Sequence, residues 1–165
     1  MRSHLYGALW TTLLLLVAVG LSGCGSTPPQ RIDLTSPDSA PLSDRRAQVV
    51  LTAQSQLGAP YRYGGNGPSG FDCSGLVEFT HRQAGVAVPR TAATQWQHAN
   101  TLDRTYLLPG DLVFFSLGSR KPRHVGIYTG GGEFIHAPSS GGVVSRASLD
   151  DPHWRPNWLG SRSFL

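Results

Sequence analysis

The chain has 165 residues, a formal net charge of +4 and 39% apolar residues, which suits one domain with a core plus accessory segments. Its 20 glycines and 12 prolines favour turns and short strands over long helices. No basic block is interleaved with aromatics, which argues against a nucleic-acid partner. The mild positive balance suits an acidic polymer, or simply solubility.

The first two dozen residues read as an export signal. Leu9 to Leu21 is a nearly unbroken apolar run of 13 residues, about 20 Å of helix at about 1.5 Å per residue. A spanning helix needs about 20 apolar residues, so the run reads as a signal-peptide core. Leu21-Ser22-Gly23-Cys24 follows and resembles the lipobox of bacterial lipoproteins, which implies a lipidated Cys24 and a membrane anchor of several acyl chains. Gly25 stands where an Asp would favour retention at the inner membrane. In a two-membrane cell the expected place is therefore the outer membrane, facing the periplasm. Residues 25–43 are rich in Ser, Thr and Pro and read as a flexible tether. The expected organisation is a signal peptide over 1–23, a lipidated N-terminus and tether over 24–44, and a folded domain over 45–165. Cys24 and Cys73 are the two cysteines, and their separate contexts argue against a disulfide between them.

In the folded part, Ser43 or Asp44 is placed to cap a helix from Arg45, with Val49, Val50, Ala53 and Leu57 at helical spacing and Gly58 as its stop. Residues 59–70 read as a loop. Asp72 is an N-cap for a second helix over Cys73–Ala84, stopped by Gly85. Leu76, Val77, Thr80 and Ala84 share a face with Cys73. Thr91–Ala99 suggests a third short helix. The pattern then changes to strands over 111–116, 124–128, 133–137, 143–146 and 159–163, separated by Gly-rich turns. Helices first and an antiparallel sheet afterwards is an α+β order.

A hairpin turning at Thr129-Gly130-Gly131, symmetric about Gly130, sets His124 opposite His136 on one face. Cys73 at a helix start has N–H groups and a dipole that favour a thiolate, and an adjacent imidazolium would favour it further. His136 is placed to orient His124, and the N–H groups of Cys73 and Ser74 to hold an oxyanion. On spacing alone, three readings stay open: a Cys73–His124–His136 nucleophilic set, a metal site with the same three ligands, or a structural cysteine and histidines.

Asp72-Cys73-Ser74-Gly75-Leu76-Val77, preceded by Pro60-Tyr61-Arg62-Tyr63-Gly64-Gly65, resembles the motifs of the NlpC family of papain-like cell-wall cysteine peptidases. Pro89-Arg90-Thr91, Pro109-Gly110-Asp111-Leu112-Val113-Phe114-Phe115, His124-Val125-Gly126-Ile127-Tyr128 and Phe134-Ile135-His136-Ala137 follow in the family's order. The resemblance covers residues 45–165. It implies a papain-like α+β fold, with N-terminal helices, one carrying the nucleophile, packed on an antiparallel sheet. It implies Cys73 as nucleophile, His124 as base and His136 as orienting residue, with Tyr61 and Ser74 supporting the oxyanion or substrate. It implies no metal and no organic cofactor. Asp72 reads as the helix cap, Asp111 as a turn residue, and Arg120, Lys121 and Arg123 as either a cleft wall for substrate carboxylates or a solvated basic loop.

The implied substrate is peptidoglycan peptide, and the compact lipobox–tether–domain layout favours the D-alanine–diaminopimelate cross-link over the D-glutamate–diaminopimelate bond. The rival readings are a wall-binding lipoprotein without activity and an acyl- or amide-transfer enzyme for other substrates. Because an uncontrolled wall hydrolase endangers its cell, a regulatory adaptor or protease is the expected partner.

Overall fold

The computed structural model describes residues 42–103, 106–118, 121–139 and 142–165. The signal sequence, the Cys24 motif, nearly all of the tether and Arg120 lie outside the described residues. Among the described residues no helix is long and apolar enough to cross a membrane.

Helix α1 spans Leu42–Ser55, beginning three residues ahead of the expected start. Asp44 lies in its first turn, where a carboxylate meets the positive end of the helix dipole. The Ser43 hydroxyl donates to Asp44 Oδ1 at 3.3 Å. The buried stripe is narrower than the spacing suggests: Val49 and Ala53 are fully buried, while Leu57, beyond the helix end, is exposed. The loop over 59–70 contains a short hairpin that periodicity does not reveal, β1 (Asn66–Gly67) against β2 (Gly70–Phe71). Helix α2 spans Cys73–Gln83 with Asp72 as its N-cap, close to the expected bounds. Helix α3 spans Ala92–His98 and is capped by Thr91 in a reciprocal box with Thr94.

The remaining strands are β3 (Asn100–Leu102), β4 (Leu112–Phe115), β5 (His124–Gly130), β6 (Glu133–His136), β7 (Ser145–Ser148) and β8 (Trp158–Ser163). They form one antiparallel sheet in the order β3-β8-β4-β5-β6-β7. The C-terminal strand thus lies between β3 and β4. Strand β3 was not expected from the sequence, and β7 starts two residues later than expected.

The alternation along the strands feeds two cores. Leu112, Phe114, Val125, Ile127, Ile135 and Ala137 join Val49, Ala53, Leu76 and Val77 on the helix side. Val113, Phe115 and Phe134 join Leu149, Trp154 and Trp158 in a second cluster. Burial on both faces explains why β4 reads as a continuous apolar run rather than an alternating one. Each buried Leu, Ile or Phe contributes about 1.5–3 kcal/mol.

An ion pair binds α1 to the sheet. Arg46 Nη1 donates to Asp111 Oδ1 at 2.8 Å and to the Pro109 carbonyl at 3.1 Å. Asp111 is 1% exposed, and its Oδ2 accepts the Leu108 N–H at 2.8 Å. Asp111 is therefore a turn residue, as expected, and also the buried half of a long-range ion pair. Removing one partner strands the other charge, so Arg46→Ala is expected to cost about 3 kcal/mol, read as a lowered urea midpoint with an unchanged m-value.

Candidate active site

A helix start leaves N–H groups without intrahelical partners, and the start of α2 is organised around its Asp72 cap. Asp72 N–H donates to the Gly65 carbonyl at 3.0 Å, and Gly75 N–H donates to Asp72 Oδ1 at 2.7 Å. The N–H groups of Cys73 and Ser74, at the first two positions of the helix, favour the Cys73 thiolate. The cap itself is held from outside the helix. Arg90 donates to both carboxylate oxygens, Nη1 to Oδ1 at 2.9 Å and Nη2 to Oδ2 at 2.7 Å. The Gly64 N–H reaches Oδ2 at 3.0 Å, and the Ser74 hydroxyl donates to Oδ1 at 3.2 Å. Burial pushes the Asp72 carboxyl up, but Arg90 and the Gly75 and Gly64 N–H groups outweigh it and hold the group below the usual carboxylate range. The approach of loop and helix requires Gly75, since a β-carbon there would run into the Gly65 carbonyl oxygen.

The Val125 N–H also favours the thiolate. The β5–β6 ladder begins at Ile127 opposite Ile135, so Val125 lies ahead of it at the start of β5. His124 is the residue immediately before Val125. Its ring lies against His136, with His124 Nε2 and His136 Nδ1 2.9 Å apart and the rings nearly perpendicular at 86°. Both histidines are only 4% exposed.

The pairing of these histidines differs from the direct opposition expected. Ile127 faces Ile135 and Tyr128 faces Phe134, with a register shift between Tyr128 and Gly130. The hairpin is thus centred one residue later than Gly130, and the strands slip by two. An even slip keeps both histidines on one face but makes them diagonal neighbours. Gly126, between them, admits the Phe134 ring, with which a β-carbon would collide.

Trp154 closes the site from the second core, and no motif or periodicity pointed to it. Its ring stacks on His124 at 5.2 Å and 23° and meets His136 edge-on at 4.9 Å. It also meets Phe115 at 4.7 Å and Phe134 at 5.4 Å. Burial, then His136 and His153, lower His124 to about 3. Burial and His153 lower His136 to about 4. Burial pushes the Cys73 thiol up, and the adjacent Asp72 adds to this, against the three N–H groups that favour a thiolate. Burial thus opposes both halves of the thiolate–imidazolium pair that the helix start suggests, an effect that sequence spacing does not report.

Cys73 opens into a cleft of about 450 Å³ lined by Tyr61, Tyr63, Asp72, Ser74, Arg90 and Arg123 among others. The histidines lie behind it. Tyr61 is fixed by its N–H on the Gly142 carbonyl at 2.8 Å, and partial burial, then Cys73, push its hydroxyl up, so it stays a donor. The Ser74 hydroxyl is engaged with Asp72 and Arg90; what Ser74 offers the cleft is its backbone N–H. Arg90, quoted in the sequence only as part of a motif, is the clamp of the whole helix start. Gln95, fully buried, adds a second clamp by donating to the carbonyls of Ser74 at 3.0 Å and Pro89 at 2.8 Å. Among the described residues no three His, Cys, Asp or Glu side chains are grouped to hold a metal ion.

A cysteine at the start of a helix, packed on an antiparallel sheet that carries a histidine pair, defines the papain-like α+β class. The model of the NlpC/P60 family matches residues 58–163, and the chain belongs to that family of cysteine-type peptidases. It is 40% identical over 156 residues to the probable endopeptidase NlpC of Escherichia coli (strain K12), covering 91% of this chain and 96% of that one. It is 41% identical over 123 residues to the murein DD-endopeptidase MepS/murein LD-carboxypeptidase of the same organism, covering 74% of this chain and 64% of that one. Among solved structures, an NlpC/P60 family protein from Bacillus cereus aligns with a TM-score of 0.70 at 30% identity, over 73% of this chain and 40% of that one.

His81 is a third buried histidine, outside the site. Its Nδ1 lies 2.9 Å from the Val77 carbonyl, and burial lowers it to about 4. Unfolding returns all three histidines to an ordinary value of about 6.5. Between pH 6.5 and 4 the unfolded chain therefore binds more protons than the folded one, and stability falls as pH falls. Urea midpoints across this window are expected to drop steadily, and His81→Gln is expected to make the drop shallower.

Proposed function

We propose that this protein hydrolyses the peptide part of bacterial peptidoglycan, with Cys73 as nucleophile, His124 as general base and His136 as the residue that orients His124. A cysteine at a helix start, whose thiolate is favoured by the N–H groups of Cys73, Ser74 and Val125, with a buried pair of hydrogen-bonded imidazoles that begins at the residue before Val125, is the observation that supports this reading. The similarity to a murein endopeptidase supports the substrate class.

With Nε2 of His124 donating to His136 Nδ1, Nδ1 of His124 is the nitrogen left to act as base. It takes the thiol proton as the sulfur attacks a peptide carbonyl. The Cys73 and Ser74 N–H groups, with the Tyr61 hydroxyl, receive the oxyanion. The C–N bond then breaks, and His124 returns the proton to the departing amine. A water molecule loses a proton to His124 and adds to the thioester, and the Cys73 sulfur leaves and recovers its proton. Every transfer begins and ends with neutral groups, which suits a site where burial disfavours charge.

The bond favoured is the D-alanine–diaminopimelate cross-link, supported by the compact layout and by similarity to a DD-endopeptidase; the alternative is the D-glutamate–diaminopimelate bond. The proposal also places a lipid on Cys24 and the domain at the outer membrane, facing the periplasm, on the strength of Leu21-Ser22-Gly23-Cys24 and Gly25.

The test incubates the full chain in mild detergent with purified cross-linked and uncross-linked muropeptides, read by mass spectrometry. Dimers are expected to become monomers with the wild type and not with Cys73→Ala. His124→Ala is expected to lose about 10²–10⁴-fold in rate. Shortening of monomers after D-glutamate would move the bond assignment. Equal products from wild type and Cys73→Ala would overturn the catalytic reading.

A further inference from the structure

The cleft beside Cys73 is lined by three charged side chains, Asp72, Arg90 and Arg123. Two of them neutralise each other, since Arg90 forms a two-pronged pair with Asp72. Glu78 Oε2 lies a further 3.6 Å from Arg90 Nε. Arg123 is different. It is exposed, and among the described residues its guanidinium has no hydrogen-bond or ion-pair partner.

Its backbone is nonetheless fixed, because Arg123 N–H donates to the Phe115 carbonyl at 3.0 Å. The residue immediately precedes His124 at the head of β5. A permanently charged fork is thus mounted at a defined point of the cleft, at the head of the strand that carries His124. The other basic side chains nearby do not share this position. The Arg62 stem covers Gly70, and Lys121 does not line the cleft. With Asp72 and Arg90 paired, the charged side chain of the cleft left without a partner among the described residues is Arg123.

We propose that Arg123 is a specificity-determining residue that binds a carboxylate on a residue flanking the scissile bond. The proposal rests on the reading of the site as a cysteine peptidase and names what that site selects. A planar guanidinium takes a carboxylate through two parallel charge-assisted hydrogen bonds, a geometry that lysine does not supply. Both bonds weighed above involve diaminopimelate, which keeps a free carboxylate when it is joined in a wall peptide. Peptides with that carboxylate free are the preferred substrates, and their amidated forms are poor ones.

The experiment compares one diaminopimelate-containing wall peptide with the same peptide amidated at the free diaminopimelate carboxylate. It uses the full chain as wild type, Arg123→Gln and Arg123→Lys. Wild type is expected to favour the free acid by about tenfold or more in kcat/KM, chiefly through KM. Arg123→Gln is expected to treat the two peptides alike, at the level of wild type on the amide. Arg123→Lys is expected to recover part of the preference, and added salt to weaken it in the wild type. Binding of both peptides by Cys73→Ala protein, with Arg123 intact or changed to Gln, reads the same selectivity without turnover. A preference in binding without any cleavage by wild type would sustain the role of Arg123 and sink the peptidase reading. Equal handling of acid and amide by wild type, or a preference that survives in Arg123→Gln, would overturn the role of Arg123.

Discussion

The Asp72 carboxylate is the constraint on which the site depends. It caps α2 through Gly75, takes the Gly64 N–H from the loop ahead of the helix, and receives both prongs of Arg90 from the segment ahead of α3. Three stretches of chain that are distant in sequence thus meet on one side chain. Asp72 occupies the Gly75 N–H, while the Cys73 and Ser74 N–H groups favour the thiolate. Its charge disfavours a thiolate next door, and Arg90 offsets that charge at its source. A neutral cap such as Ser would satisfy the helix but would not draw Arg90 into place.

Behind the nucleophile, the design relies on burial. Trp154 and Phe115 cover the histidine pair, and the loss of solvent keeps both rings neutral. A neutral imidazole is ready to accept a proton, whereas an imidazolium is not. The three N–H groups around the sulfur act in the opposite sense, stabilising the anion that forms during attack. Burial raises the cost of the thiolate, and the oriented N–H groups lower it.

Much of this was legible in the sequence because it is local. Asp72, Cys73 and Gly85 mark α2 within one residue of its observed bounds, since capping and stop signals act over a single turn. The strands around His124 and His136 follow from period-two patterning between glycines. What was not legible acts at long range or over too few residues. The Arg46–Asp111 pair joins residues 65 apart, and Trp154 reaches the histidines from a turn beyond β7. Hairpin β1–β2 has two residues a side, too short for any period to show. Desolvation by these same distant residues opposes charge at the site, and a helix start and a nearby histidine do not report it.

The histidine register shows how an inaccurate pairing led to the right neighbours. Direct cross-strand partners have β-carbons about 4.5–5.5 Å apart, whereas diagonal ones are about 7–8 Å apart. Two imidazoles joined Nε2 to Nδ1 need the longer spacing, because each ring must extend toward the other rather than lie beside it. Past the one-residue shift between Tyr128 and Gly130, Ile127 faces Ile135, which leaves His124 and His136 two residues off direct opposition. A slip of one residue would instead have turned His136 into the helix-side core, away from Trp154. The irregularity at the hairpin tip and the end-to-end contact of the histidines are therefore two consequences of one strand offset.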